Sequence, residues 1–213
     1  MIDNAKQLKN YWEKGYLNSN TQFDVDQPDS WIAGLEQTGQ IKGTILDAGC
    51  GPGRTARYLA ELGHDVLGID ISVNAVERAK EKATKENNSA RFLQADICRL
   101  TGYDREFDTV VDIGCFHSLP EADRGLYSST LHRMCRADAA VFIRAFSEKN
   151  KQSREDYTES NGLPLPAIRE EHIRNAFSDG WKIDAMEERE IDLLVADGKI
   201  KKSYCGFAII NRA

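Results

Sequence analysis

Through the middle of the chain, short apolar runs alternate with helix-like stripes. The runs at 44–46, 66–69, 91–93, 109–111 and 139–143 are nearly continuous in hydrophobicity. Strands buried on both faces of a parallel sheet read this way. Between them, residues 54–62 carry Ala56, Leu59, Ala60 and Leu62, then Gly63 where a helix-ending glycine belongs. Ser72 stands in a capping position ahead of a stripe of Ala75, Val76, Ala79 and Ala83. Residues 122–135 place Leu126, Tyr127, Thr130, Leu131 and Met134 on one helical face. Strands alternating with helices predict an α/β fold: a doubly wound, mostly parallel seven-stranded sheet with helices on both faces. Residues 181–195 and 203–210 read as strands around the turn-like Ala196-Asp197-Gly198-Lys199, an antiparallel C-terminal hairpin closing one edge. Two stretches carry a weaker pattern. Residues 1–40 are read as a helical cover segment preceding a main domain of 41–213. Residues 147–166 are polar, then proline-rich, and a loop that long is expected to be a functional cover or a disordered segment.

Composition narrows the classes. The chain has 213 residues, enough for one α/β domain with a full core. Its net charge of −6 and pI near 5.3 disfavour nucleic acid as a partner, because that affinity rests on phosphate neutralisation. No apolar run reaches the roughly 18 residues of a membrane span, and the N-terminus has no signal-like apolar stretch. Five cysteines without a Cys-x-x-Cys pair predict neither a disulfide framework nor a metal site, and point to a reducing, cytoplasmic setting. Oligomeric state is not legible.

Ligands of doubly wound sheets bind beyond the carboxyl ends of the strands, so the loops there are the ones to search. The first is Asp47-Ala48-Gly49-Cys50-Gly51-Pro52-Gly53. Its glycines let the backbone pass close to a ligand, and the helix after it aims N–H groups at the same place. The spacing is Gly-x-Gly-x-Gly, not the Gly-x-Gly-x-x-Gly of dinucleotide binders. An acid before the loop repels a pyrophosphate and attracts a ligand carrying an ammonium and a sulfonium. At the second strand end, Asp70 can accept both ribose hydroxyls, with Ile71 beside it. At the third, Asp96 can accept an exocyclic adenine amine while Ile97 packs on the ring. The fourth strand ends in Asp112-Ile113 and runs into Gly114-Cys115-Phe116-His117, a loop facing the reacting group. His117 alone among the four histidines falls at a strand's carboxyl end, as a substrate contact, a proton acceptor or a structural hydrogen-bonder.

Taken together, these segments resemble motifs I to IV of the class I S-adenosylmethionine-dependent methyltransferases, over residues from about 40 to 146. The resemblance implies a Rossmann-like domain with S-adenosyl-L-methionine held by Asp47, Gly49, Cys50, Gly51, Gly53, Asp70, Ile71, Asp96, Ile97, Asp112 and Ile113. Tyr11-Trp12-Glu13-Lys14, Phe23-Asp24 and Pro28, with Phe116-His117-Ser118-Leu119-Pro120, Arg124 and Tyr127, are similar to the small-molecule thiopurine/thiol methyltransferase-like branch. In that branch an N-terminal segment folds over the cofactor, which implies Trp12, Phe23, Asp24 and Phe116 as the acceptor pocket. Ile113 stands where thiopurine methyltransferases carry arginine, so the thiopurine reaction itself is not implied. Arg136-Ala137-Asp138-Ala139 replaces the usual Pro-Gly-Gly before the fifth strand. The Asp112-Ile113-Gly114-Cys115 run does not match the Pro-Pro signature of base and glutamine N-methyltransferases.

The expected activity is methyl transfer to an S, N or O nucleophile of a small molecule, with His117 as the candidate base for a hydroxyl acceptor. Two other readings stay open: a non-catalytic S-adenosylmethionine-binding regulatory protein, and an NAD-dependent oxidoreductase.

Overall fold

The computed structural model describes residues 4–17, 24–150 and 168–213. The alternation of strand and helix persists in the element order. Helices α1 (Asn4–Leu17) and α2 (Ser30–Gln37) precede β1 (Thr44–Ala48), α3 (Arg54–Glu61), β2 (Asp65–Asp70), α4 (Val73–Glu86) and β3 (Arg91–Gln94). Then come β4 (Phe107–Ile113), a 3₁₀ turn (Phe116–Ser118), α5 (Glu121–Met134), β5 (Cys135–Phe146), α6 (Glu170–Ala176), β6 (Trp181–Leu194) and β7 (Ile200–Arg212). The seven strands form one sheet in the order β3-β2-β1-β4-β5-β7-β6. β1 pairs in parallel with β2 and with β4, so the strand order reverses beside β1. β7 runs antiparallel between β5 and β6.

Side-chain alternation splits the core between the two faces of the sheet. Leu46 and Ala48 of β1, with Val141 and Ile143 of β5, join a cluster with Leu8, Tyr127, Leu131 and Phe177. Ile45 and Phe142 point the other way, into a cluster with Ile32, Leu35, Ala56 and Leu59. Each central strand is therefore covered twice, which is why its sequence is apolar without interruption.

Local signals hold in most places. Ser72 caps α4, its hydroxyl accepting the Ala75 N–H at 3.2 Å, and Gly63 follows α3 with φ +97°. Tyr127, Leu131 and Met134 are fully buried, but Leu126, expected on the same face, is exposed. The fifth strand begins four residues earlier than its apolar run. Phe107 pairs with Cys135, the register then shifts, and Thr109 pairs with Ala140. Asp138 sits in this bulge with φ +61°, a left-handed position that aspartate tolerates better than most residues. Helix α6 follows the stretch at 147–166 that has no clear period.

Candidate active site

A cleft with about 940 Å³ of empty space, mouth included, opens at the carboxyl ends of β1, β2, β3, β4 and β5. Its floor is the turn after β1. The N–H groups of Gly49 and Cys50 both donate to the Ile69 carbonyl, and Gly53 N–H closes the turn on the Cys50 carbonyl. Gly49 lines the cleft with φ +68°, and a Cβ there would stand 2.6 Å from Cys115 Cβ. Gly53 serves packing instead, since a Cβ there would meet the Phe92 ring at 2.7 Å. Cys50, Gly51 and Gly53 lie in the turn but away from the cleft wall.

Asp47 also lies beneath the loop. Its Oδ2 accepts the Ala56 N–H at 3.0 Å, so the carboxylate caps the first turn of α3 from below. Burial pushes its carboxyl up to about 7, against the pull of that hydrogen bond and of Arg54. A pyrophosphate at this turn would face a buried carboxylate that already holds a helix N–H group. The turn therefore fits a cationic ligand better than a dinucleotide.

The next two acids face the cleft. Asp70 accepts the Gly51 N–H through Oδ2 and the Ser72 N–H through Oδ1, both at 2.9 Å. Burial raises its carboxyl to about 6, with those bonds opposing. Asp96 accepts Cys98 N–H at 2.9 Å and pairs with Arg99 at 2.8 Å. Ile71 and Ile97 line the same wall.

Asp112 does not reach the ligand side. It is fully buried and accepts N–H bonds from Gly114, Cys115 and Phe116 and the Tyr127 hydroxyl at 2.6 Å. Its role is to fold the loop that brings Ile113, Gly114, Cys115 and His117 into the cleft. His117 is buried there, its Nδ1 accepting the Phe146 N–H at 3.2 Å and its ring against Phe146 at 4.9 Å. Phe116 is packed in the core against Tyr127 and Phe177, outside the cleft, because Asp112 turns its backbone inward.

The open side is walled by α1. Leu8, Trp12 and Tyr16, spaced by four, share the face turned to the cleft, and the Trp12 and Tyr16 rings stack at 5.9 Å. Asp24 lies elsewhere: it pairs with Arg78 and Lys82 of α4, each at 3.0 Å. Phe23 lies outside the described residues, as do residues 151–166 of the expected loop at 147–166. Arg54 and Arg144 line the cleft and share the buried Asp29, which caps α2. Burial, then the neighbouring Arg144, lowers the Arg54 pKa. The sequence reading missed both arginines, Tyr16 and Phe146. Arg54 was signalled by its place directly after the glycine loop, and Tyr16 by its spacing from Trp12.

With this geometry in hand, similarity to known proteins is specific. Residues 45–138 match the family described as a methyltransferase domain. An uncharacterized methyltransferase of Schizosaccharomyces pombe is 49% identical over 117 residues, 55% of this chain and 81% of that protein. The 2-heptyl-1-hydroxyquinolin-4(1H)-one methyltransferase of Mycobacteroides abscessus is 30% identical over 188 residues, 84% of this chain and 80% of that one. A solved structure described for conversion of a disulfide bond into a thioacetal group during echinomycin biosynthesis superposes with a TM-score of 0.86. It is 28% identical, covering 96% of this chain and 92% of its own. The chain belongs to the class I S-adenosylmethionine-dependent methyltransferases, and its cofactor is S-adenosylmethionine.

Proposed function

We propose that this methyltransferase acts on an S, N or O nucleophile of a small, largely apolar molecule held between α1 and the His117–Phe146 wall. The observation that carries the reading is the aromatic and aliphatic lining on the acceptor side: Leu8, Trp12, Tyr16, Leu119 and Phe146, with His117 as a polar group among them. The 2-heptyl-1-hydroxyquinolin-4(1H)-one named for one similar protein supports it.

On this reading Asp70 accepts the ribose hydroxyls and Asp96 the adenine amine, with Ile71 and Ile97 on the ring. Arg54 faces the amino-acid carboxylate, and the Gly49 and Gly114 backbones flank the sulfur side. When bound, S-adenosylmethionine supplies a methyl group activated by the sulfonium charge. The protein's share is then orientation and exclusion of water, and orientation alone is worth about 7–11 kcal/mol.

His117 is assigned as a polar contact rather than a base acting through Nδ1. Its Nδ1 lone pair is taken by the Phe146 N–H, so the neutral ring carries its proton on Nε2. With Nδ1 committed to Phe146, that nitrogen has no lone pair for the acceptor's proton. Asp112 is saturated inside the protein, and burial pushes the Cys115 thiol far up. The cleft therefore favours acceptors that need little base help, such as thiols, acidic hydroxyls and neutral amines.

The test is to incubate the protein with S-adenosylmethionine and a panel of alkyl-hydroxyquinolones, thiols, phenols and aromatic amines. S-adenosylhomocysteine is read by mass spectrometry. Turnover of a panel member is expected. No product from any of them, with cofactor binding intact by calorimetry, would instead favour a regulatory cofactor-binding protein.

A further inference from the structure

The carboxylate of Glu13 lies sixty residues in sequence from the groups it binds, yet it is among the most heavily hydrogen-bonded on the surface of the fold. Oε1 accepts the Val73 N–H at 2.8 Å. Oε2 accepts the Ser72 hydroxyl at 2.9 Å, the Asn74 N–H at 3.2 Å and the Asn74 side-chain amide at 2.8 Å. The same amide also donates to the Glu13 carbonyl at 3.2 Å. Burial works to raise the carboxyl, but the Val73, Asn74 and Ser72 bonds outweigh it and hold Glu13 below its ordinary value. A charge from α1 is thus spread over the N-terminal turn of α4, where the helix dipole favours it.

Ser72 links this clasp to the cofactor wall. Its hydroxyl donates to Glu13 while its backbone N–H donates to Asp70 Oδ1 at 2.9 Å. The other oxygen of Asp70 holds the Gly51 N–H, and the Tyr16 hydroxyl of α1 lies directly over Gly51, 2.8 Å from where a Cβ would stand. Helix α1 therefore touches the Asp70 network at two points, one through Glu13 and one through Tyr16. Its intervening face carries Trp12 into the cleft.

We infer that Glu13 is a positioning residue: it couples docking of α1, with its Trp12–Tyr16 wall, to the cofactor-facing state of Asp70. The inference rests on placing the cofactor against Asp70. Coupling of this kind is reciprocal, so cofactor binding orders α1 and α1 docking tightens the cofactor.

The experiment uses the full chain, S-adenosylmethionine calorimetry and hydrogen exchange of the α1 amides. In the wild type, cofactor is expected to raise protection across residues 8–17. Glu13→Ala is expected to weaken cofactor affinity about 10-fold and to abolish that added protection. Glu13→Gln keeps an oxygen for the α4 N–H groups and should recover part of both; it also carries the test if Glu13→Ala folds poorly. Lys82→Ala removes bonds to Asp24 and Asp26 that have no link to Asp70, and should leave affinity within about 2-fold. Wild-type affinity in both Glu13 variants, an equal loss in Lys82→Ala, or no cofactor effect on α1 protection would overturn the coupling. If the wild type binds cofactor and Asp70→Ala does not weaken it, the placement of the cofactor fails instead.

Discussion

Three buried aspartates end neighbouring strands, and each has a different duty. Asp47 holds α3, Asp70 faces the cleft, and Asp112 folds the loop after β4. Burial raises all three, to about 7, 6 and 6 respectively. A carboxyl raised in the folded state binds its proton more tightly there than in the unfolded chain. Its contribution to stability is full below the ordinary carboxylate range and is lost as pH rises through the folded value. The Asp47→Asn side chain keeps an oxygen for the Ala56 N–H but does not titrate. The melting temperature of wild type minus Asp47→Asn should therefore fall between about pH 4 and pH 7, and a difference that grows with pH would contradict the account. Asp70 predicts the opposite trend for the ligand. Its ionised form is the better acceptor, so cofactor affinity should drop as pH falls through about 6. In calorimetry Asp70→Ala should cost roughly 1–3 kcal/mol at neutral pH and lose most of that pH dependence.

At the scale of elements, glycines in one loop separate function from packing. An alanine at Gly49 would press on Cys115 inside the cleft, whereas one at Gly53 would press on Phe92 and Ala79 between α4 and β3. Both positions have positive φ, costing any other residue about 1–2 kcal/mol before the clash. Gly49→Ala should lose cofactor affinity more than thermal stability, and Gly53→Ala the reverse; calorimetry and a melting curve on each variant decide it. This division was only half legible in the sequence. The glycine spacing and the acids at three strand ends are local, so the loop, the cofactor and the strand–helix order could be read directly. Which side chains turn toward the cleft depends on partners far away. Asp112 turns from it because Tyr127 and three N–H groups claim it, and Asp24 because Arg78 and Lys82 do. Phe116 and Leu126 were misplaced for a related reason: hydrophobicity alone does not say whether an apolar residue meets the core, the cleft or solvent. The early start of β5 was hidden because the bulge at Asp138 breaks the apolar run.

For the whole molecule, the sheet reverses order beside β1, and the cleft wall is assembled from segments that touch only when the sheet is formed. The cleft draws on α1, on the loops after β1 to β4, and on Arg144 and Phe146 of β5, with Cys205 of β7 beside them. A ligand bridging so many elements binds the folded state alone. It should stabilise by RT ln(1 + [L]/Kd), about 2.7 kcal/mol at a concentration of 100 Kd. For a domain of this size that is a rise in melting temperature of roughly 5–11 °C. S-adenosylmethionine and S-adenosylhomocysteine should both produce it. NAD should not, because Asp47 and Asp70 place carboxylates around the turn where its pyrophosphate would need N–H donors. A thermal shift with NAD matching that of S-adenosylhomocysteine would mean the acids at this turn do not select the ligand as argued. A shift with neither would mean the cleft at these strand ends is not a cofactor site.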